Sequence, residues 1–184
     1  IGSSANERAN TSTSLCTRSG PACEISMAIS ASVSSDLMED PRTEHARLEA
    51  EGWGEFEDAL SRVPDDRLTA PGVVGGGTVK EMLHHVTGWI RECIGYLDRM
   101  KDGTFVDPDD TDEWVNARNA TFADEARSLD VAAVRSELDA EREVILRRWQ
   151  ELPEIDDVAV EWFAGETYEH YEEHLPDLWS ASGA

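Results

Sequence analysis

Apolar side chains recur three and four residues apart along most of the chain beyond residue 41, which is the spacing of one face of an α-helix. In the first such stretch they are Trp53, Phe56, Leu60 and Val63, and Pro64 ends the stretch. The pattern returns in four further stretches: residues 78 to about 100, TDEWVNARNATFADEARS, DVAAVRSELDAEREVILRRWQEL, and about 158 to 179. No segment has the alternation of a strand. The pattern predicts an all-α protein, an up-and-down four-helix bundle.

Residues 1–40 differ in composition from the rest of the chain. They are rich in Ser, Thr, Ala and Asn and carry no sustained helical or strand period, which is typical of a segment that cannot bury enough apolar area to fold. We therefore expect a disordered low-complexity tail at 1–40 and one folded domain at 41–184. No stretch approaches the roughly 20 apolar residues of a membrane span, and no signal peptide is recognisable.

The chain is strongly acidic, with a net charge of -23 and a pI near 4.3. Contact with a phosphate backbone would begin from repulsion, so direct binding of DNA or RNA is not expected. The three cysteines form no CxxC pair and favour a reducing cytoplasm. The partner that we expect is a small-molecule substrate, and the sequence leaves open whether the chain forms a homodimer.

The chain has five histidines, and four of them occur as two pairs. His170 and His174 are four residues apart, so on a helix both imidazoles lie on one face and can bind one ion. His84 and His85 are adjacent in the second predicted helix. A catalytic zinc site typically takes three protein ligands, so a third must come from another helix. The alternative is that the 170/174 pair belongs to an ordinary solvated helix.

Two segments resemble the DinB-like four-helix-bundle superfamily. GGGTVKEMLHHVTGW is similar to its second helix and puts the family's histidine on His85. TYEHYEEHLPDLW is similar to its last helix, in particular to that of the ClbS/DfsB-like branch, and puts the other two metal ligands on His170 and His174. The resemblance covers about residues 42–180. It implies a divalent metal ion, with zinc, nickel, manganese and iron as candidates, and in some members a low-molecular-weight thiol such as mycothiol or bacillithiol.

Two glutamates precede these histidines by four residues. Glu166 precedes His170, so its carboxylate can orient that ligand or act as a catalytic general base; in so acidic a chain the spacing also arises by chance. Glu81 precedes His85, but Thr78 stands three residues before Glu81 and the two form a predicted capping box. We therefore assign a catalytic role to Glu166 alone.

Aromatic and amide side chains near the histidines are candidates for contacts with a substrate. Tryptophans bury a large area at little entropic cost, and amides inside a helix need partners if they are buried. For the aromatic residues the alternative is packing in the core, and for the amides it is exposure to solvent. The candidates are Trp89, Trp114 and Trp162, Asn116 and Asn119, and Tyr171.

These features support three hypotheses about function. The first is a metal-dependent enzyme, a hydrolase or a thiol-dependent S-transferase, that acts on a small electrophilic molecule in detoxification or self-protection. Its chemical basis is that a divalent ion held by imidazoles polarises a carbonyl or lowers the pKa of a coordinated water or thiol. The second is a non-catalytic binding or sequestration protein of the same fold that confers resistance to a reactive compound. The third, a two-metal site using Glu81 and Glu166, lacks the usual ExxH spacing.

Overall fold

Six α-helices and one short 3-10 helix, Asp65–Arg67, make up most of the computed structural model, which describes residues 40–72, 76–109 and 111–183. Within those ranges there is no β-strand. The helices are α1 Pro41–Ser61, α2 Val79–Lys101, α3 Asp112–Ala126, α4 Val131–Glu151, α5 Asp157–Gly165 and α6 Tyr168–Ser182. The predicted all-α fold is confirmed.

Five of these helices begin directly after an N-cap residue whose side-chain oxygen caps the first turn. Each N-cap side chain accepts a hydrogen bond from a backbone N–H of the first turn, which satisfies a donor that has no partner inside the helix. At α2 the arrangement is the predicted capping box, because Thr78 and Glu81 each accept from the other's backbone N–H. The five N-cap residues are Asp40, Thr78, Thr111, Asp130 and Asp156.

The apolar stripes of α1, α2, α4 and the α5–α6 segment enclose a common core. Helix α1 packs mainly on α6, and α2 packs mainly on α4. At the centre the Trp149 ring stacks on Phe163 with centroids 4.2 Å apart, and the free thiol of Cys93 is buried in the core cluster. These four helical units are the predicted bundle, and α3 is an addition that packs on α2.

The last predicted helix, residues 158 to 179, is two helices in the structure. The chain leaves helical geometry at Thr167, with φ -122° and ψ -106°, and the buried Thr167 hydroxyl donates to the Phe163 carbonyl. The prediction of one continuous helix was wrong because the apolar spacing continues across this break. Beyond it, α6 continues past Pro176 and ends at Gly183, whose φ of 78° suits glycine.

Helix α3 reaches α2 through a close contact between a ring and a glycine. The Phe122 ring lies over Gly88, so that a Cβ built on Gly88 would be 2.6 Å from Phe122 Cδ1. A side chain at position 88 would therefore push α3 outward. This contact brings Trp114 and Asn119 of α3 beside Trp89 of α2.

The predicted tail at residues 1–40 lies, apart from Asp40, outside the described residues, so the domain boundary at residue 41 stays a prediction. None of the helices in the described ranges combines the length and apolar character needed to cross a membrane.

Candidate functional site

Three imidazoles from two helices meet at one point of the bundle. His85 comes from the middle of α2, and His170 and His174 come from successive turns of α6. The Nε2 atoms of His85 and His170 are 3.1 Å apart, and one nitrogen of each of the three rings lies within 4.8 Å of the others. The structure thus brings together the three residues named from the sequence as metal ligands.

The spacing of these nitrogens is compatible with a single divalent ion. Ligands about 2.0–2.1 Å from zinc in tetrahedral geometry lie about 3.3 Å from one another, which is close to the distance between His85 and His170. Small rotations of the His174 ring would bring its nitrogen into the same range. His174 Nε2 is buried and has no hydrogen-bond partner among the described residues, and a metal ion would satisfy such an atom.

The protonation state of the rings also suits a metal. Burial lowers the pKa of His85 to about 4, and the neighbouring His174 ring adds to the effect. Burial, followed by the two other rings, lowers the pKa of His170 well below its usual value. Near pH 7 both imidazoles are therefore neutral, which is the form that binds metals.

A carboxylate lies near the Nδ1 atom of two of these rings. Glu166 Oε2 is 3.6 Å from His170 Nδ1, and Asp177 Oδ2 is 3.4 Å from His174 Nδ1. In metal sites such carboxylates hold the ligand in the tautomer whose other nitrogen faces the ion. Burial raises the pKa of Glu166 to about 8, and the charges of Glu173 and Glu92 contribute to the shift.

The three histidines form one wall of a cavity of about 350 Å³. Trp89, Trp114 and Trp162 line it, as predicted for candidate aromatic residues, and Glu166 and Glu173 supply carboxylates. Asn119 also lines the cavity, and its Oδ1 accepts a hydrogen bond of 2.9 Å from Trp89 Nε1. A cavity of this size holds a small organic molecule.

Two residues proposed from the sequence lie elsewhere. Asn116 is exposed on α3 and does not line the cavity, whereas Asn119, one turn later, does. Tyr171 is fully buried and does not line the cavity; it packs on Phe56, and its hydroxyl donates to Glu49. We therefore do not retain Asn116 and Tyr171 as substrate contacts.

The remaining candidates near the histidines have structural partners. His84 is buried and points away from the triad, with Nε2 3.3 Å from Glu125 Oε2 and Nδ1 3.7 Å from Glu137 Oε2. Glu81 is held in the capping box by a 2.8 Å bond from the Thr78 N–H. Glu81, the α2 carboxylate that the two-metal hypothesis requires, is therefore already engaged in the helix cap.

A second cavity of about 560 Å³ touches the same histidines from another direction. Gly77, Met82 and Ala123 contribute to its lining, and it shares His85, His174 and Asn119 with the first cavity. Nothing in the sequence indicates this cavity, since most of the other residues that line it have no distinctive chemistry. Nor does anything in the sequence distinguish Glu173, which is one of 39 acidic residues.

The helical region of the chain matches the sequence model of a known protein family. The sequence model of the family described as the mycothiol maleylpyruvate isomerase N-terminal domain matches residues 49–169. That stretch is more than half of the chain; it includes His85 and Glu166 and ends one residue before His170. No curated protein and no solved structure matches significantly. The chain therefore belongs to the mycothiol maleylpyruvate isomerase N-terminal domain family, which is one of the DinB-like helical families whose members bind divalent metal ions.

Proposed function

We propose that His85, His170 and His174 bind one divalent metal ion and that the protein converts a small electrophilic molecule, held in the 350 Å³ cavity, by hydrolysis or thiol transfer. The observation that carries the proposal is the meeting of three imidazoles, with nitrogens within 4.8 Å, at the wall of a cavity. Zinc, nickel, manganese and iron all accept imidazole ligands, so the geometry of the three histidines does not identify the metal. Its identity has to come from a measurement of the metal content of the protein.

When bound, such an ion polarises a carbonyl and lowers the pKa of a coordinated nucleophile. The protein's own residues would do the rest. Glu166 lines the cavity and lies 3.6 Å from His170 Nδ1, and in its ionised form it would accept the proton of the attacking water or thiol. The indoles of Trp89 and Trp162 would exclude bulk water from the reacting groups. The Cys93 thiol is buried and burial raises its pKa, so it is not the nucleophile.

Thiol transfer is supported by two features. The family is named for a mycothiol maleylpyruvate isomerase, and a low-molecular-weight thiol such as mycothiol is accordingly the proposed cosubstrate. In addition, His85 and His174 are reached from two cavities, which gives two reactants separate approaches to the same imidazoles. The motif TYEHYEEHLPDLW resembles the last helix of the ClbS/DfsB-like branch. On the basis of this resemblance the proposal includes a role in detoxification or self-protection in the cytoplasm.

The test of the metal centre is the metal content of untagged protein by inductively coupled plasma mass spectrometry. We expect about one ion per chain in the wild type, and its loss in His85→Ala and His170→Ala. His45→Ala is the matched control, because His45 lies outside the triad and hydrogen-bonds with Tyr168. A wild-type protein that takes up no zinc, nickel or manganese would contradict the metal centre and favour a sequestration protein instead. If metal is bound, its removal should abolish activity while the helical content is retained.

A further inference from the structure

The cavity beside the three histidines has an aromatic lining. The ring centroids of Trp89 and Trp114 are 5.7 Å apart, and Trp162 completes the lining. The faces of indole rings carry negative electrostatic potential and attract cations, more strongly than those of tyrosine or phenylalanine. An aromatic lining alone would also suit an uncharged apolar group.

The charged groups around the cavity favour a cation. Glu166 and Glu173 line it, and an adjoining depression of about 220 Å³ shares Trp162 and Glu166 and adds Asp107 and Glu161. No lysine or arginine is among the described residues that line either space.

One guanidinium lies near this lining, and its charge is already matched. Arg118 stacks on the Trp114 ring with Cζ 5.5 Å from the centroid, and its side chain forms an ion pair of 2.5 Å with Glu92. Glu92 thus balances this guanidinium, and Arg118 is not among the residues that line the cavity. In the metal-free protein a carboxylate entering the cavity would meet the charge of Glu173, and no lining residue supplies a compensating lysine or arginine.

We propose that this cavity selects substrates that carry an ammonium group, with the cationic end between the indoles and the carboxylates and the reacting end beside the histidines. The inference deepens the proposed function and rests on it for the position of the reacting end. The competing explanation of the carboxylates is that they only balance the charge of the metal ion. In that case a neutral molecule of the same shape would bind as well as a cation.

The experiment compares choline with 3,3-dimethylbutan-1-ol, its uncharged isostere, and with the dicarboxylate maleate. Binding is measured by isothermal titration calorimetry on metal-free and on zinc-loaded protein. We expect choline to bind at least about tenfold more tightly than the isostere, and maleate to bind more weakly than both to the metal-free protein. Equal affinity for choline and the isostere, tighter binding of maleate to the metal-free protein, or no binding of choline to either form of the protein would overturn the proposal.

Two variants with matched controls locate the effect. Glu173→Gln and Trp114→Leu should each reduce the preference for choline at least about threefold. Glu172→Gln removes a neighbouring exposed charge of α6 outside the cavity, and Trp179→Leu removes an indole that also lies outside it; both should leave the preference unchanged. An equal effect of Glu172→Gln would mean that the net charge of the protein, rather than the cavity, attracts the cation.

The outcomes separate this inference from the metal centre. A protein that binds no metal but prefers choline, with the expected effects of the variants, would retain the cation site and refute the proposed metal chemistry. A protein that binds one zinc ion through the histidines but does not distinguish choline from its isostere would retain the metal centre and refute the substrate class.

Discussion

Glu49 is a fully buried acid in α1, and its charge is matched by a single arginine. Both carboxylate oxygens accept hydrogen bonds from Arg142 of α4, at 2.7 and 2.8 Å, and the Tyr171 hydroxyl donates a third. Removal of the carboxylate would leave a guanidinium and a hydroxyl without their acceptor in a region of low polarity. We expect Glu49→Ala to lower the free energy of unfolding by about 3–5 kcal/mol, measured by urea denaturation.

The control is an acid of the same helix that forms an exposed ion pair. Glu51 accepts from Arg47 at 2.7 Å, and the Glu51 side chain is 61% exposed. Glu51→Ala should change the free energy of unfolding by less than about 1 kcal/mol. Similar losses for the two variants would mean that the buried carboxylate is not the source of the effect.

At the scale of single residues, the sequence predicted which histidines lie together better than it predicted which neighbours line the cavity. His170 and His174 could be predicted to share a face because helical geometry alone fixes that relation. Asn116 and Asn119 could not be distinguished, because α3 buries only Phe122 and Ala126 and its pattern does not define which side faces the bundle. Tyr171 follows a site residue in sequence, but on a helix neighbouring residues point about 100° apart.

The contact between α2 and α3 depends on the absence of a side chain at Gly88. In Gly88→Ala the new methyl group would collide with the Phe122 ring, so we expect a loss of about 1–3 kcal/mol in the free energy of unfolding despite the higher helix propensity of alanine. The displacement of α3 should also weaken ligand binding in the cavity that Trp114 and Asn119 line. Thermal denaturation monitored by circular dichroism checks the first effect.

Gly54 of α1 supplies the matched variant for this prediction. A Cβ at Gly54 would meet no atom within 4 Å, so Gly54→Ala should stabilise the protein by up to about 1 kcal/mol through helix propensity alone. If both alanine variants were stabilising, the packing of Phe122 on Gly88 would not be as close as the structure has it.

At the scale of helices, starts were predictable and the break between α5 and α6 was not. Thr78 and Asp130 are residue types that favour the N-cap position, and α2 and α4 begin directly after them. The break at Thr167 depends on a buried hydroxyl bonded to the Phe163 carbonyl, which is a feature of packing. The break separates Glu166 from the helix that carries His170 and still leaves the two side chains 3.6 Å apart.

For the whole molecule, the same buried groups that form the site determine how stability depends on pH. In the metal-free protein the pKa of His85 is about 4 and that of His170 lies well below 6.5. Below pH 6.5 the unfolded chain therefore binds protons that the folded chain does not. Stability should fall as the pH is lowered from about 6.5 towards 4.

Glu166 acts in the opposite direction. Its pKa is raised to about 8 from 4.5, so between these values the folded chain holds a proton that the unfolded chain has lost, and stability falls as the pH rises. Below pH 6.5 the two histidines outweigh this single group, whereas above pH 6.5 its effect exceeds theirs. The free energy of unfolding of the chelator-treated protein should thus be greatest near pH 6.5 and decrease by about 1 kcal/mol by pH 8.

Glu166→Gln tests the assignment of the alkaline decrease, because an amide does not titrate. Urea denaturation at intervals between pH 5 and pH 8 should show the decrease above pH 6.5 in the wild type and in Glu172→Gln, whose residue is exposed, and its absence in Glu166→Gln. Persistence of the decrease in Glu166→Gln would assign it to another group. Saturating zinc should raise the stability near neutral pH and steepen the acid limb in the wild type, since metal binding to the folded chain excludes protons from the histidine nitrogens and is lost when these nitrogens are protonated.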